Sequence, residues 1–334
     1  MISEVTGGVS EKRRPRRKRE PRIMPRLRSI PPLLRATGIK WFNDKAIKLS
    51  AALSLYAVLS LAPLMVISLK ALSVMLGPQA AAAQVKAQMQ NLIGYAGAAA
   101  INDMILAAAK PFAGIRATII SSIILMFSAS AVFGELQDSL NTIWNVKARP
   151  DLSWLQTIKN RFLSMAMVFV IMFLLLTSMF VSTVLTAVSH RIAPDVAMSA
   201  IATDFLLSVL VVSLLITMLF RFLPDVRIDW RDVFLGALVT AILFKLGQYL
   251  LGLYFRYGST TSAYGAAGSF VAVLLWVYYS GWILFFGAEF TCVYAKSRGR
   301  GFEPAPDAVK LSPLDRAAQG LPPSEKIPNT PIAP

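Results

Sequence analysis

The sequence predicts an all-α, polytopic membrane protein, a bundle of six transmembrane helices. Three observations carry this. First, 55% of the 334 residues are hydrophobic and only 16% are charged, against about 45–50% and about 25% in a soluble domain. Second, the apolar residues come in long charge-free runs: 49–69, 117–134, 162–190 and 257–288, of 21, 18, 29 and 32 positions. About 20 mostly apolar residues cross a bilayer core. Third, the basic residues alternate in density between successive connecting segments. Together these exclude an ordinary soluble enzyme, a disordered regulator and a secreted disulfide scaffold. A single cysteine, Cys292, and a single histidine, His190, exclude an internal disulfide and a His-rich metal cluster.

Taken in order, the spans fall at 50–73, 115–134, 163–187, 198–220, 233–256 and 267–292. The second is bracketed by Arg116 and Glu135. The fourth needs Asp204 inside it and the fifth needs Lys245, because the apolar stretches beside these residues are too short alone. With the N-terminus inside, segments 1–48, 135–162, 221–232 and 293–334 hold 27 Lys and Arg, and the outer segments hold six. The positive-inside rule then places both termini in the cytoplasm. No cleavable signal peptide is read, since the first apolar run begins near residue 49.

Residues 1–48 carry 14 Lys and Arg against four acids. Five prolines, Pro15, Pro21, Pro25, Pro31 and Pro32, predict a largely disordered tail held near anionic headgroups, worth about 1 kcal/mol per basic residue. It lacks the aromatic interleaving of a nucleic-acid binder. Residues 38–48 read as a short interfacial helix, with Lys40, Trp41, Lys45 and Lys48 at headgroup level. The outer loop 74–113 reads as an amphipathic helical hairpin. In the inner loop, Leu136, Leu140, Ile143 and Trp144 form one apolar face. Pro150 breaks that helix and Asp151 caps the next. The membrane domain covers 49–294. Residues 295–334, with eight prolines, read as a disordered tail.

The ionisable groups inside spans are the candidate functional residues. Asp204 lies roughly 9 Å and Lys245 roughly 16 Å from the outer ends of their helices, at 1.5 Å per residue. The long lysine side chain bridges that difference, so the two are expected to pair, either as a tie between helices or as the lining of a polar cavity. Glu289, near the inner end of span six, is expected to meet Arg221. Pro63 interrupts the hydrogen bonding of span one, where Ser54, Tyr56 and Ser60 offer a polar path. Gly236 and Thr240, four apart, mark close helix packing. Asp225, Asp229 and Asp232 form the densest acidic group, but helix capping accounts for the last two. Tyr264 to Gly268 reads as a tight turn before span six. No cofactor, metal or nucleotide loop is expected.

Several segments together resemble a known family. They are Ala51-Ala52-Leu53-Ser54-Leu55-Tyr56-Ala57-Val58-Leu59-Ser60-Leu61-Ala62-Pro63-Leu64, Phe133-Gly134-Glu135-Leu136-Gln137-Asp138-Ser139-Leu140-Asn141-Thr142-Ile143-Trp144, Trp230-Arg231-Asp232-Val233-Phe234-Leu235-Gly236-Ala237-Leu238, Ser262-Ala263-Tyr264-Gly265-Ala266-Ala267-Gly268 and Gly287-Ala288-Glu289-Phe290. Over about 40–295 the chain is similar to the YihY/BrkB family of bacterial inner-membrane proteins. The resemblance implies six helices and no catalytic residue to carry over. Members have borne the label ribonuclease BN, regarded as mistaken, and some are linked to serum resistance or envelope lipid transport. The expected function is therefore transport or flipping of an envelope lipid or other amphiphile. Alternatives are a scaffold using its tails to hold envelope proteins or a second copy, and a membrane ribonuclease. The residues speak against the last, because RNA hydrolysis needs clustered metal-binding carboxylates or a histidine pair.

Overall fold

The computed structural model describes residues 30–81, 83, 115–149, 197–257, 268–299 and 302–323. The predicted third span, most of the outer loop 74–113, Asp151, His190 and the 262–267 turn lie outside the described residues. What is described is mostly helical. Helix α1 (Ile30–Asn43) starts at Pro31 and Pro32, which fit a first helical turn because their missing N–H groups have no partner there anyway. It is longer than the predicted 38–48 helix and ends before Asp44. Lys45 takes the left-handed conformation, φ 53°, and turns the chain into α2 (Ala46–Leu76).

Helix α3 (Ile115–Ile143) continues the second span unbroken into the loop segment. Its inner face buries Leu136, Leu140, Ile143 and the following Trp144, as the spacing predicts. Helices α4 (Ala197–Phe222), α5 (Trp230–Tyr257) and α6 (Gly268–Ser297) cover spans four to six. Among the described residues, the stretches Trp230–Tyr254 and Phe270–Ser297 are long and apolar enough to cross a membrane. Ala46–Ser60 and Ser208–Phe222 are shorter apolar stretches.

Helix α6 is the hub, packing on α1, α2, α3 and α5, with α4 on α5. On α4 and α5, small or hydroxylated residues are buried on one face while large apolar residues are exposed on another. On α4, Ser213 and Thr217 are buried while Leu206, Leu210 and Leu214, one turn apart, are exposed. On α5, Ala237, Thr240 and Ala241 are buried while Ile242, Leu246 and Leu250 are exposed. Water would penalise such a surface, whereas lipid does not, and small residues let membrane helices approach closely.

The α5–α6 contact shows how closely. A Cβ added to Gly236 would overlap the Thr291 hydroxyl, and one added to Gly287 would overlap that of Thr240. Each threonine satisfies its hydroxyl on the glycine carbonyl four residues back in its own helix, at 2.7 Å and 2.8 Å. The Gly236/Thr240 and Gly287/Thr291 pairs thus mesh reciprocally. Gly287→Ala should destabilise the protein by about 1–3 kcal/mol through overpacking. Thermal unfolding in detergent measures this, and an unchanged midpoint would contradict the mesh.

The fold departs from the predicted all-α class and from the predicted disordered tail at the same place. Strand β1 (Val146–Ala148) pairs antiparallel with β4 (Ala308–Lys310), and β2 (Val226–Arg227) with β3 (Glu303–Pro304). Helix α7 (Pro313–Ala318) follows, with Ser312 and Asp315 in a reciprocal capping box. Its prolines are used as helix start and edge-strand residue rather than as breakers. Phe302 packs on the main core. Residues 302–323 are therefore part of the folded body.

Candidate functional site

Four charged side chains converge where α1, α3, α6 and α7 meet. Lys40, near the end of α1, is placed one helical turn before Asp44, so both point to one side. The Lys40 ammonium donates to Asp44 Oδ2 at 2.7 Å, to the Ile143 carbonyl at 2.8 Å and to Glu289 Oε2 at 2.5 Å. All three of its protons are thereby used. Arg316 donates from Nη2 to Asp44 Oδ1 at 2.7 Å, from Nε to the Pro322 carbonyl at 2.8 Å, and from Nη1 to Asn145 Oδ1. Asn145 itself sits at φ 55° just after α3.

Two cations thus face two carboxylates. Side-chain exposure is 12% for Lys40, 2% for Asp44, 0% for Glu289 and 4% for Arg316. Burial works against the Lys40 ammonium, yet the neighbouring Cys292 sulfur and the Glu289 and Asp44 carboxylates outweigh it and hold its pKa above the usual lysine range. Burial likewise opposes the Asp44 carboxylate. The Lys40 charge and the hydrogen bonds from Arg316 and Lys40 outweigh it and hold Asp44 below its ordinary value. Glu289 Oε1 has no hydrogen-bond partner among the described residues.

This corrects several expectations. Lys40 and Trp41 do not face lipid headgroups. Lys40 is the counterion of Glu289, and Trp41 is buried, edge-on to Trp282 at 5.9 Å. The reason is energetic: a buried carboxylate without a counterion costs several kcal/mol, while a headgroup contact is worth about 1 kcal/mol. Glu289 does not meet Arg221, which instead donates to the Ile228 carbonyl and lies over the Trp230 ring at 5.5 Å. Lys45 and Lys48 are exposed. Tyr56 is 39% exposed on α2, and Ser54 and Ser60 bond to their own helix at Ala51 and Ala57. The described part of α2 therefore shows no interior polar path built from these residues. Pro63 falls inside the unbroken α2. Lys245 is half-buried on α5; the side chains of Pro63 and Asp204 lie outside the described residues, and the Asp204–Lys245 pair with them.

The three clustered aspartates have separate structural roles. Asp225 accepts hydrogen bonds from Gln137 at 3.1 Å and Asn141 at 2.9 Å, which ties the end of α3 to the turn between α4 and α5. Burial pushes its pKa up. Asp229 accepts from the Arg231 N–H at the start of α5, and Asp232 is buried in that helix's first turn. Sequence reasoning missed the Lys40–Asp44–Glu289–Arg316 network because its members are far apart in the chain, Asp44 and Arg316 by 272 positions. Two local signals were present: the one-turn spacing of Lys40 and Asp44, and the position of Glu289 as the lone acid between 268 and 297.

The family model described as Virulence factor BrkB matches residues 40–312, so it takes in both Lys40 and the β4 strand. A UPF0761 membrane protein of Azotobacter vinelandii is 27% identical over 274 residues, 81% of this chain and 65% of that protein. The UPF0761 membrane protein RSc1559 of Ralstonia nicotianae is 27% identical over 177 residues, 53% of this chain and 37% of that protein. The UPF0761 membrane protein PA0951 of Pseudomonas aeruginosa is 31% identical over 119 residues, 35% of this chain and 29% of that protein. The chain thus spans less than two thirds of the length of these relatives. No solved structure matches it. With a family match over most of its length, the chain belongs to the YihY/BrkB family of membrane proteins.

Proposed function

We propose that the protein is a multi-pass bacterial inner-membrane transporter that moves an envelope lipid or another amphiphile across the bilayer. Its termini lie in the cytoplasm, and the Lys40–Asp44–Glu289–Arg316 network is its closed inner gate. The network is the observation that carries the reading. An apolar cluster of the same volume would hold the helices as well or better, since desolvating ion pairs is costly. Charges retained at such cost near a membrane span point to a functional role. Ion pairs between separate elements also break and re-form as discrete states, which is what a gate requires.

The arrangement of connecting segments supports the sidedness. Lys40, β1, β2 and the β3–β4 tail come from the four segments that hold the surplus of Lys and Arg, and they contact one another at one end of the bundle. Segments on one side of a membrane are separated by even numbers of crossings. Six crossings, two between each successive pair, satisfy this.

The test is reconstitution of the full chain into liposomes carrying fluorescent phospholipids in both leaflets, followed by an impermeant reductant. The expected result is bleaching of both leaflets at a rate that shifts in the Lys40→Ala/Glu289→Ala double variant. Bleaching confined to the outer leaflet with every phospholipid tried would overturn the proposal.

A further inference from the structure

Beside the gate, the turn from α1 into α2 forms an open cavity of about 300 Å³ between those helices and α6. Its walls include Trp41, Phe42, Ile47 and Tyr278, and its charged groups are Lys45 and Lys48. The lining contains no carboxylate. Neither lysine has an ion-pair partner among the described residues, because the adjacent Asp44 is engaged by Lys40 and Arg316. Trp41 is 8% exposed, and its indole N–H lacks an acceptor. The cavity therefore combines two cations without an ion-pair partner and aromatic walls.

The cavity also opens onto an apolar track. Ile47, Ala51, Leu55 and Leu59 recur every four residues along α2, and all are exposed, Leu55 by 52% and Leu59 by 58%. Residues four apart lie on one face of a helix. From Ile47 to Leu59 the helix rises about 18 Å, comparable to an extended acyl chain. Phe42, 66% exposed, and Tyr278 stand at the charged end, where aromatic side chains sit at the level of headgroups. A soluble anion would use the lysines and leave the track unexplained. A neutral lipid would use the track and leave both cations unmatched.

We propose that this is a binding site for one anionic phospholipid, its phosphate between Lys45 and Lys48 and an acyl chain along Ile47, Ala51, Leu55 and Leu59. The inference goes beyond the transport reading and does not rest on it: a lipid held here could be cargo or a fixed structural lipid.

Detergent-purified full-length protein is titrated with phosphatidylglycerol, phosphatidylcholine of the same acyl chains, water-soluble glycerophosphoglycerol, or inorganic phosphate, and thermal stability is read. Phosphatidylglycerol is expected to stabilise at about tenfold or more lower concentration than phosphatidylcholine, and the two soluble anions are expected to have little effect. The Lys45→Gln/Lys48→Gln variant should lose that preference. The Arg227→Gln/Arg231→Gln variant, which removes two exposed charges outside the cavity, should keep it. Equal loss in both variants would mean diffuse surface attraction and overturn the site. Retention in the lysine variant, or stabilisation by inorganic phosphate as strong as by phosphatidylglycerol, would overturn it too. A liposome assay without lipid movement would leave this result untouched, so the two proposals fail separately.

Discussion

Glu289→Ala should destabilise the protein by about 3–5 kcal/mol, because it leaves the nearly buried Lys40 ammonium without one of its two carboxylates. Lys40→Ala should cost a similar amount, stranding Glu289 at 0% exposure. The double change removes both charges at once and should cost clearly less than the sum of the single changes. Groups in direct contact couple by 0.5–3 kcal/mol in such cycles, about that range being general. Glu289→Gln, which keeps the volume and a polar end, should fall between wild type and Glu289→Ala. Unfolding midpoints of wild type and the four variants in one detergent provide the measurement. Additive single effects would show that the two side chains do not depend on each other.

Removing the C-terminal segment should have the next largest effect. A chain ending at Arg300 loses Arg316, both strand ladders and Phe302. Its Asp44 keeps only Lys40, and Arg316→Ala alone should cost about 1.5–3 kcal/mol, the worth of hydrogen bonds to a charged group. Arg316→Lys keeps the charge but not the planar fork that reaches Asp44, Asn145 and Pro322 together. It should recover part of the loss. Folded yield after size-exclusion chromatography and the unfolding midpoint report both variants. A truncated protein as stable as the full chain would mean that the segment contributes nothing to the fold.

The sequence made the helices near 50–73, 115–134, 198–220, 233–256 and 267–292 legible because each is a local property, a long apolar run with little charge. The interlocking of Gly236 and Thr240 was legible for the same reason, as a spacing within one helix. Helix capping at Asp229 was also local. The tail 302–323 was misjudged because proline content measures a preference for breaking helices. It carries no information about strands that pair with residues 146–148 and 226–227. Lys40 and Trp41 were misplaced because a basic and aromatic segment before a first span has the composition of an interfacial anchor. What overrides composition is Glu289, 249 positions away, whose buried carboxylate needs a cation.

That separation also fixes an order of events during synthesis. Lys40 and Asp44 leave the ribosome before the first span is complete, while Glu289 and Arg316 are not yet made. At about 5–20 residues per second, Lys40 waits roughly 12–50 s for Glu289. During that interval neither Lys40 nor Asp44 has the partners that complete the network. The network is therefore the last part of this end to assemble, completed only when the emerging tail delivers Arg316 to a carboxylate made at the beginning. A nascent chain stalled before residue 289 would hold its helices without this closure, and its amino-terminal helix would be open to chaperones and proteases until translation resumed.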